Sequence, residues 1–167
     1  ANRYDYPIHL GVTEAGSGRS GAIKTALGVG PLLREGIGDT IRVSLSENPL
    51  EELKVAFDIL NFLDLRKRGA EIISCPTCGR SEFDVGEVSQ KLKSRLADIE
   101  EPFKLALMGC VVNGVGEASE SKFGLVGSRK GCLLYENGKQ KKVIKTKQNE
   151  KLVEEIEKII RDRLNTL

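Results

Sequence analysis

Three cysteines lie in two short segments whose spacing suits a metal centre. Cys75 and Cys78 belong to Ser-Cys-Pro-Thr-Cys-Gly-Arg at 74–80, a C-x-x-C step that lets two thiolates turn onto one metal. Cys110 follows an apolar segment and opens a Gly-rich loop that ends at Glu117. Three soft sulfur ligands favour zinc or an iron–sulfur cluster over a hard cation. The spacing therefore predicts a metal centre, with iron–sulfur only modestly favoured over zinc.

The residues themselves leave the fourth ligand open. Structural zinc wants a fourth Cys or His, and Cys132 is available, but it opens an apolar strand, where a single Cys is more often a small core residue. A glutamate in the position of Glu117 is more often an ordinary solvated side chain than a metal ligand. As a ligand on an iron–sulfur cluster its hard oxygen would be exchangeable and would leave one iron open to substrate. A thioredoxin-type redox pair is a further alternative, although Gly79-Arg80-Ser81 stands where a helix should begin.

Composition excludes several classes of protein. The chain has 167 residues and a net charge of +2, which gives no argument for nucleic acid or membrane binding. No apolar run approaches the ~20 residues of a membrane span, and the first residues lack a signal-peptide core. Four Cys without such a signal indicate a reducing compartment. The chain does not begin with Met, which favours an excised or processed piece of a longer protein.

The first part of the chain reads as strand–helix–strand–helix. We expect a buried strand at 7–14, a helix at 22–33, a strand at 40–45 and a helix capped by Asn48. This alternation implies parallel strands. Two such units rarely make a domain alone, so they indicate part of a larger α/β sheet or barrel.

The second part begins near Gly69 and could be a complete α+β domain. Short strands at 70–74 and 103–108 run directly into the cysteine segments, and Asn137-Gly138 predicts a hairpin. The other elements expected here are a helix over 85–99, strands at 123–126, 132–135 and 142–145, and a last helix over about 149–166.

Polar side chains follow the first two strands, where α/β barrels place active-site groups. They are Glu14, Arg42 and Ser44. Arg42 either forms an ion pair with a carboxylate such as Asp39 or binds an anion, since guanidinium matches phosphate in a bidentate manner. We assign no role to His9, because a single mid-strand His is more often a satisfied core residue.

A glycine pattern offers a rival function. Gly16, Gly18 and Gly21 match G-x-G-x-x-G between a strand and a helix, and Glu47 lies near the ribose-binding position of a dinucleotide fold. The strand, however, does not lead directly into the first Gly, and the helix contains further glycines. We prefer an ordinary turn, although amides at a helix N-terminus can hold a phosphate.

Four segments together resemble one known family. They are His-Leu-Gly-Val-Thr-Glu-Ala-Gly at 9–16, Gly-Ile-Gly-Asp-Thr-Ile-Arg-Val-Ser at 36–44, the C-x-x-C segment at 74–80, and Met-Gly-Cys-Val-Val-Asn-Gly-Val-Gly-Glu-Ala at 108–118. These resemble 4-hydroxy-3-methylbut-2-enyl diphosphate synthase, the iron–sulfur enzyme family of the methylerythritol phosphate route to isoprenoids. The segments occur in family order and span nearly the whole chain.

The resemblance implies an α/β fold with two domains. Residues 1–68 would be the last two βα units of a TIM-type barrel, and residues 69–167 an α+β iron–sulfur domain resembling those of sulfite and nitrite reductases. A whole barrel takes about 250 residues, so most of it would be absent and the chain would be inactive alone.

The resemblance also assigns the site. The ligands of a 4Fe–4S cluster would be Cys75, Cys78, Cys110 and Glu117. Asn113 would reach the substrate, and Arg42 and Ser44 would hold its diphosphate. Glu14 would face the reacting carbons as a charge stabiliser or proton source. The family usually shows Pro where this chain has Val115.

The implied reaction is the reductive ring opening and dehydroxylation of 2-C-methyl-D-erythritol 2,4-cyclodiphosphate. The family implies a ferredoxin or flavodoxin as electron donor, a bacterial cytoplasmic or plastid stromal location, and a barrel and cluster domain that meet within one subunit or across a homodimer. The alternatives are a zinc-stabilised, non-catalytic binding domain and a nicotinamide-dependent dehydrogenase that uses the Gly16–Gly21 loop.

Overall fold

A computed structural model describes residues 5–164 of the chain. Its internal contacts divide the chain into two compact units, Ala1–Lys67 and Arg68–Leu167. Within the described range, none of the helices has the length and apolar character needed to cross a bilayer. In chain order the elements are β1 His9–Gly11, α1 Gly18–Arg34, β2 Thr40–Arg42, α2 Pro49–Phe62, β3 Ala70–Ser74, α3 Val85–Arg95, β4 Phe103–Met108, α4 Val111–Ser119, β5 Phe123–Ser128, β6 Gly131–Glu136, β7 Lys139–Ile144 and α5 Asn149–Leu164.

The first unit contains the parallel strand pair that the sequence predicts. β1 and β2 are parallel, and Gly11 lies opposite Arg42. Each strand is only three residues long, shorter than the predicted 7–14 and 40–45, because the two strands pair with each other over three residues. The start of α2 is confirmed: Asn48 Oδ1 accepts a hydrogen bond from the Leu50 N–H at 3.0 Å.

The helix α1 begins at Gly18, four residues earlier than predicted. The turn before it uses the left-handed backbone of Gly16, with φ of 96°. A Cβ on Gly21 would lie 2.6 Å from Leu45 Cδ2, so glycine is needed where this helix approaches the segment after β2. The prediction that His9 is a core residue is wrong: it is exposed, and its Nδ1 lies 2.7 Å from Thr40 Oγ1.

The second unit is a five-stranded mixed sheet in the order β3-β4-β5-β6-β7. β3, β4 and β5 are parallel, whereas β6 and β7 are antiparallel additions. Residues of α3 and α5 pack with one face of the sheet in the main core, and α4 packs on the other face through Ala118. The largest fully buried side chains of this unit include Leu92, Leu105, Leu107, Leu125, Leu134, Leu152 and Ile156.

Several predicted elements of this unit are confirmed. β3 and β4 have the predicted bounds; β4 is largely buried, whereas β3 is a half-buried edge strand. Asn137 and Gly138 both have positive φ, 48° and 74°, as a two-residue type I′ hairpin turn requires. The prediction of a Gly-rich loop after Cys110 is wrong, because residues Val111–Ser119 form the helix α4.

Candidate metal centre

The two cysteine segments leave the same edge of the five-stranded sheet. β3 ends at Ser74 and β4 at Met108, and the two strands are parallel neighbours, with Ser74 opposite Leu107. Cys75 and Cys110 therefore follow adjacent strand ends. We call this edge, formed by residues 75–84, 109–110, 129–130 and 145–148, the thiol edge.

Gly109 connects the two cysteine segments directly. Its N–H donates a hydrogen bond to Cys75 Sγ at 3.2 Å, and its carbonyl accepts one from the Glu82 N–H at 2.8 Å. Gly109 is also the residue before Cys110. One residue thus fixes the positions of both segments.

Cys78 and Cys110 have different surroundings. Cys78 is exposed, and its pKa is lowered chiefly by the backbone N–H of Arg80, with a further contribution from the Arg80 side chain. This favours the thiolate of Cys78, which is the form of Cys that binds metals. Cys110 is half-buried at the N-cap of α4 in extended backbone, with φ of −150° and ψ of 167°.

Cys132 belongs to the core, as the sequence predicts. It is completely buried among the apolar side chains of the main cluster. Burial raises its pKa to about 11. A thiol held protonated in an apolar core is a poor metal ligand, so this residue does not complete a four-thiol zinc site.

Glu117 lies on α4 and is exposed. It stands seven residues after Cys110, on the same face of the helix and about 10 Å further along its axis. The backbone separation is longer than the roughly 4.5 Å between two ligand atoms on one zinc ion, so the two side chains would have to bridge it. A helical Glu side chain also leans toward the N-terminus of its helix, in the direction of Cys110.

The donor set of the second unit is three thiols on adjacent loops and one carboxylate two helical turns away. Across residues 5–164 no three His, Cys, Asp or Glu side chains form a group that could hold a metal ion, so the structure does not bring Cys75, Cys78, Cys110 and Glu117 together as a formed site. Soft sulfurs with a single exchangeable oxygen are a ligand chemistry that a 4Fe–4S cluster can use.

The first unit holds the predicted substrate-binding residues at its own strand ends. Arg42 is the last residue of β2, Ser44 follows two residues later, and Glu14 comes three residues after β1. The Arg42 side chain packs against Gly11, where a Cβ would lie 3.1 Å from its Nε. The ion pair with Asp39 is not found among the described residues. Asp39 instead accepts a hydrogen bond from the Ile8 N–H at 2.7 Å.

The surroundings of the glycine pattern disfavour a dinucleotide. Glu47 Oε1 lies 3.3 Å from where a Cβ on Gly18 would be, at the first residue of α1. A carboxylate at this helix N-terminus repels the pyrophosphate that the dinucleotide interpretation would place there. The glycines serve the turn and the close helix packing described above.

Two glycines near the thiols have roles that the sequence does not reveal. Gly109 joins the two cysteine segments, and Gly127 on β5 packs against it, since a Cβ on Gly127 would lie 2.1 Å from the Gly109 carbonyl oxygen. The sequence shows Gly109 only as part of the 108–118 segment. The one signal for Gly127 is a glycine within a strand, which often marks close backbone approach.

Fold and site together define an α/β chain whose second unit presents three thiols at one sheet edge. Two family models match it: the GcpE TIM-barrel domain over residues 1–57 and the GcpE protein C-terminal domain over residues 71–162. The chain belongs to the GcpE family.

Curated relatives carry a common name. The chain is 52% identical over 161 residues to "4-hydroxy-3-methylbut-2-en-1-yl diphosphate synthase (flavodoxin)" of Acidithiobacillus ferrooxidans, which covers 96% of this chain and 43% of the relative. Proteins of the same name from Magnetococcus marinus and Wigglesworthia glossinidia brevipalpis are 57% and 47% identical, over 83% and 100% of this chain. They are matched over 37% and 45% of their own length. The chain thus spans less than half the length of these relatives.

Proposed function

We propose that this chain is the C-terminal portion of a 4-hydroxy-3-methylbut-2-enyl diphosphate synthase. The whole protein would reductively open 2-C-methyl-D-erythritol 2,4-cyclodiphosphate and remove a hydroxyl group, in isoprenoid biosynthesis in a bacterial cytoplasm or plastid stroma. The observation that supports this most strongly is the pair of cysteine segments on adjacent parallel strands, joined by the hydrogen bond from the Gly109 N–H to Cys75 Sγ.

The second unit would hold a 4Fe–4S cluster. Its ligands would be Cys75, Cys78, Cys110 and Glu117. The Gly109 N–H holds the Cys75 sulfur in place, the pKa of Cys78 is lowered by Arg80, and Cys110 lies at the N-cap of α4. When bound, the cluster supplies the single-electron transfers that a two-electron reduction requires.

The remaining assigned side chains would bind and orient the substrate. Arg42 is exposed and, among the described residues, forms no ion pair, so its guanidinium is available for a diphosphate. Ser44 is half-buried two residues further on and would donate a hydroxyl hydrogen bond. Asn113, exposed in the first turn of α4, offers amide donors and an acceptor beside Cys110. Glu14 would hold or transfer a proton at its carboxylate.

Domain roles and partners belong to the same proposal. Residues 1–68 would be the last part of a TIM-type barrel and residues 69–167 the cluster domain, with a fold like that of sulfite and nitrite reductase cluster domains. The relatives' name supports flavodoxin as the electron donor. Since the chain spans 43% of one such relative, we expect it to lack the activity by itself and to require the remaining segment, and we propose assembly as a homodimer.

The test uses two neighbouring glutamates. After anaerobic reconstitution with iron and sulfide, Glu117→Gln should lose or weaken the cluster, because a neutral amide is a poorer iron ligand than a carboxylate. Glu120→Gln is the matched control, since Glu120 is an exposed Glu at the C-cap of α4. Iron content, acid-labile sulfide and visible absorbance are measured for both. Equal cluster content in the two variants would remove Glu117 from the ligand set.

The metal itself separates this function from a zinc-stabilised binding domain. Anaerobically purified protein should contain iron and acid-labile sulfide and absorb broadly in the visible range. A colourless protein with one zinc per chain would contradict the proposed function.

A further inference from the structure

The thiol edge carries a concentration of positive charge. Its four segments contain five basic and two acidic residues, a net charge of +3, whereas the whole chain has a net charge of +2. All five basic side chains are exposed. The basic residues are Arg80, Arg129, Lys130, Lys145 and Lys147.

Three of these cations have no partner within the part of the chain that the structure describes. Arg80 interacts with Cys78, and Lys147 pairs with Glu82 at 2.5 Å. Neither a hydrogen bond nor an ion pair occupies Arg129, Lys130 or Lys145 within residues 5–164. These three charges are free to meet a partner.

The opposite edge of the sheet differs. Its loops carry carboxylates that are already paired: Glu100 with Arg68 at 2.6 Å and Glu101 with Lys122 at 2.7 Å. Net charge in this unit is therefore uneven along the strand direction, positive at the thiol edge and largely neutralised by carboxylates in the loops at the other end. Such asymmetry orients an oppositely charged protein during approach.

Two of the three free cations lie close to the thiols, whereas Lys145 follows β7 at the far side of the sheet. Arg129 and Lys130 form the turn between β5 and β6, and β5 is the immediate neighbour of β4, which leads to Cys110. Neighbouring strands lie about 5 Å apart, so this turn stands about 5–10 Å from the end of β4, measured across the sheet.

The same edge also exposes apolar surface. Val111 and Val112, the two residues after Cys110, are 47% and 62% exposed in the first turn of α4. An apolar centre surrounded by charged groups is the usual anatomy of a protein–protein contact surface. Contacts between electron-transfer proteins are small and transient, so a few such side chains suffice.

We propose that the thiol edge is the docking surface for an acidic electron-carrier protein of the flavodoxin type. The proposal deepens the proposed function, because such a carrier is needed only if this edge holds a redox centre. Arg129, Lys130 and Lys145 attract the acidic partner, and Val111 and Val112 contact it beside the cysteines. Binding is then salt-sensitive, and charge affects the association rate more than the final contact.

The experiment titrates the 167-residue chain, reconstituted with iron and sulfide, with a recombinant bacterial flavodoxin of net negative charge at pH 7. Arg129→Glu combined with Lys130→Glu reverses two charges at the thiol edge. Lys139→Glu combined with Lys141→Glu makes the same change near the other end of β7, where both lysines are likewise exposed and, among the described residues, unpaired. The dissociation constant is measured at 50 and 200 mM salt.

We expect the thiol-edge pair to weaken binding ~10-fold at 50 mM salt and to flatten its salt dependence, with the control pair within about 2-fold of the parent chain. Equal weakening by both pairs would show general charge attraction and overturn the proposal. Unchanged flavodoxin binding by the Arg129→Glu, Lys130→Glu variant would also overturn the proposal. This holds even if that variant weakens binding of the cyclic diphosphate.

Iron and sulfide are measured in every sample, which keeps the two proposals separate. A chain that binds flavodoxin through this edge but takes up no iron contradicts the proposed function and leaves the docking surface intact. If a chain with full iron and sulfide content binds flavodoxin equally well with and without the thiol-edge substitutions, the docking surface alone is contradicted.

Discussion

Gly127 lies directly against the carbonyl group of Gly109. A Cβ added to Gly127 would stand 2.1 Å from the Gly109 oxygen and 2.8 Å from its carbon. The same carbonyl accepts the hydrogen bond from the Glu82 N–H at 2.8 Å. A bare backbone on β5 thus supports the residue that joins the two cysteine segments, and any side chain at position 127 has to displace it.

Gly127→Ala should therefore disturb the thiol edge. The methyl group meets backbone atoms, which cannot rotate away, so we expect a loss of about 1–3 kcal/mol in the free energy of unfolding. Iron uptake should fall as well, because Gly109 moves with its neighbours. The measurements are urea unfolding and iron content after reconstitution.

Gly116→Ala is the matched control for that substitution. A Cβ at Gly116 meets nothing within 4 Å, and the residue lies inside α4, where Ala favours the helix by about 0.5–1 kcal/mol. Similar losses of stability and iron uptake in the two variants would mean that the contact between Gly127 and Gly109 is not important for the thiol edge.

Position 115 tests how far α4 extends in solution, because the family usually shows Pro where this chain has Val115. Val115 is the fifth residue of α4, so its N–H can donate to the carbonyl of Val111, and a proline would remove this bond and clash with that carbonyl. Val115→Pro should cost about 3 kcal/mol or more and lower the helix content seen by circular dichroism.

Val112→Pro provides the comparison, because Val112 is the second residue of the helix and its N–H has no intrahelical acceptor. We expect a clearly smaller effect from this variant. Equal losses at 112 and 115 would show that α4 does not continue through residue 115 in solution.

The helix α4 is an element that the local sequence does not predict. β3 and β4 were predicted with their observed bounds because their apolar runs are strong local signals. The helix after Cys110 was predicted as a loop because Gly114 and Gly116 are poor helix formers. What favours the helix is tertiary packing, since Gly114 lies so close to β5 that its Cβ would stand 2.5 Å from Val126 Cγ1. Nothing in residues 111–119 alone carries that information.

The same contrast applies to the site. The spacing of Cys75 and Cys78 favours a metal centre from the sequence alone, because sequence neighbours determine whether two thiols can turn to one centre. The contact between Gly109 and Gly127 joins two strands across the sheet, so only the fold reveals it. The exclusion of Cys132 became firm only once its complete burial was seen.

Cys132→Ser should leave cluster binding unchanged. The thiol is completely buried, so a hydroxyl placed there loses hydrogen bonds with water and should cost about 1–3 kcal/mol of stability. Iron and sulfide content should match the parent chain. Loss of iron would make Cys132 a ligand, and Cys132→Ala distinguishes this from destabilisation, since alanine brings no buried hydroxyl and removes the sulfur as well.

Arg161 should make the stability of the second unit depend on pH. Its guanidinium bonds both carboxylate oxygens of Asp98, at 2.8 and 2.9 Å, and lowers the pKa of that carboxyl below its ordinary 3.8. A carboxyl whose pKa is lower in the folded chain stabilises it above the unfolded pKa, and this stabilisation is lost as the pH falls below about 3.8. Arg161→Met should therefore be less stable than the parent at pH 7, and the difference should shrink toward pH 3.

The control for that pH dependence is Lys158→Met, which removes an exposed cation of the same helix that has no bonded partner among the described residues. Urea midpoints are measured for the parent and both variants at pH 7, 5 and 3 and constant ionic strength. The control should follow the parent at each pH. A deficit for Arg161→Met that stays constant down to pH 3 would mean that the arginine acts through packing and its hydrogen bond to the Arg95 carbonyl, and that the charge on Asp98 contributes nothing.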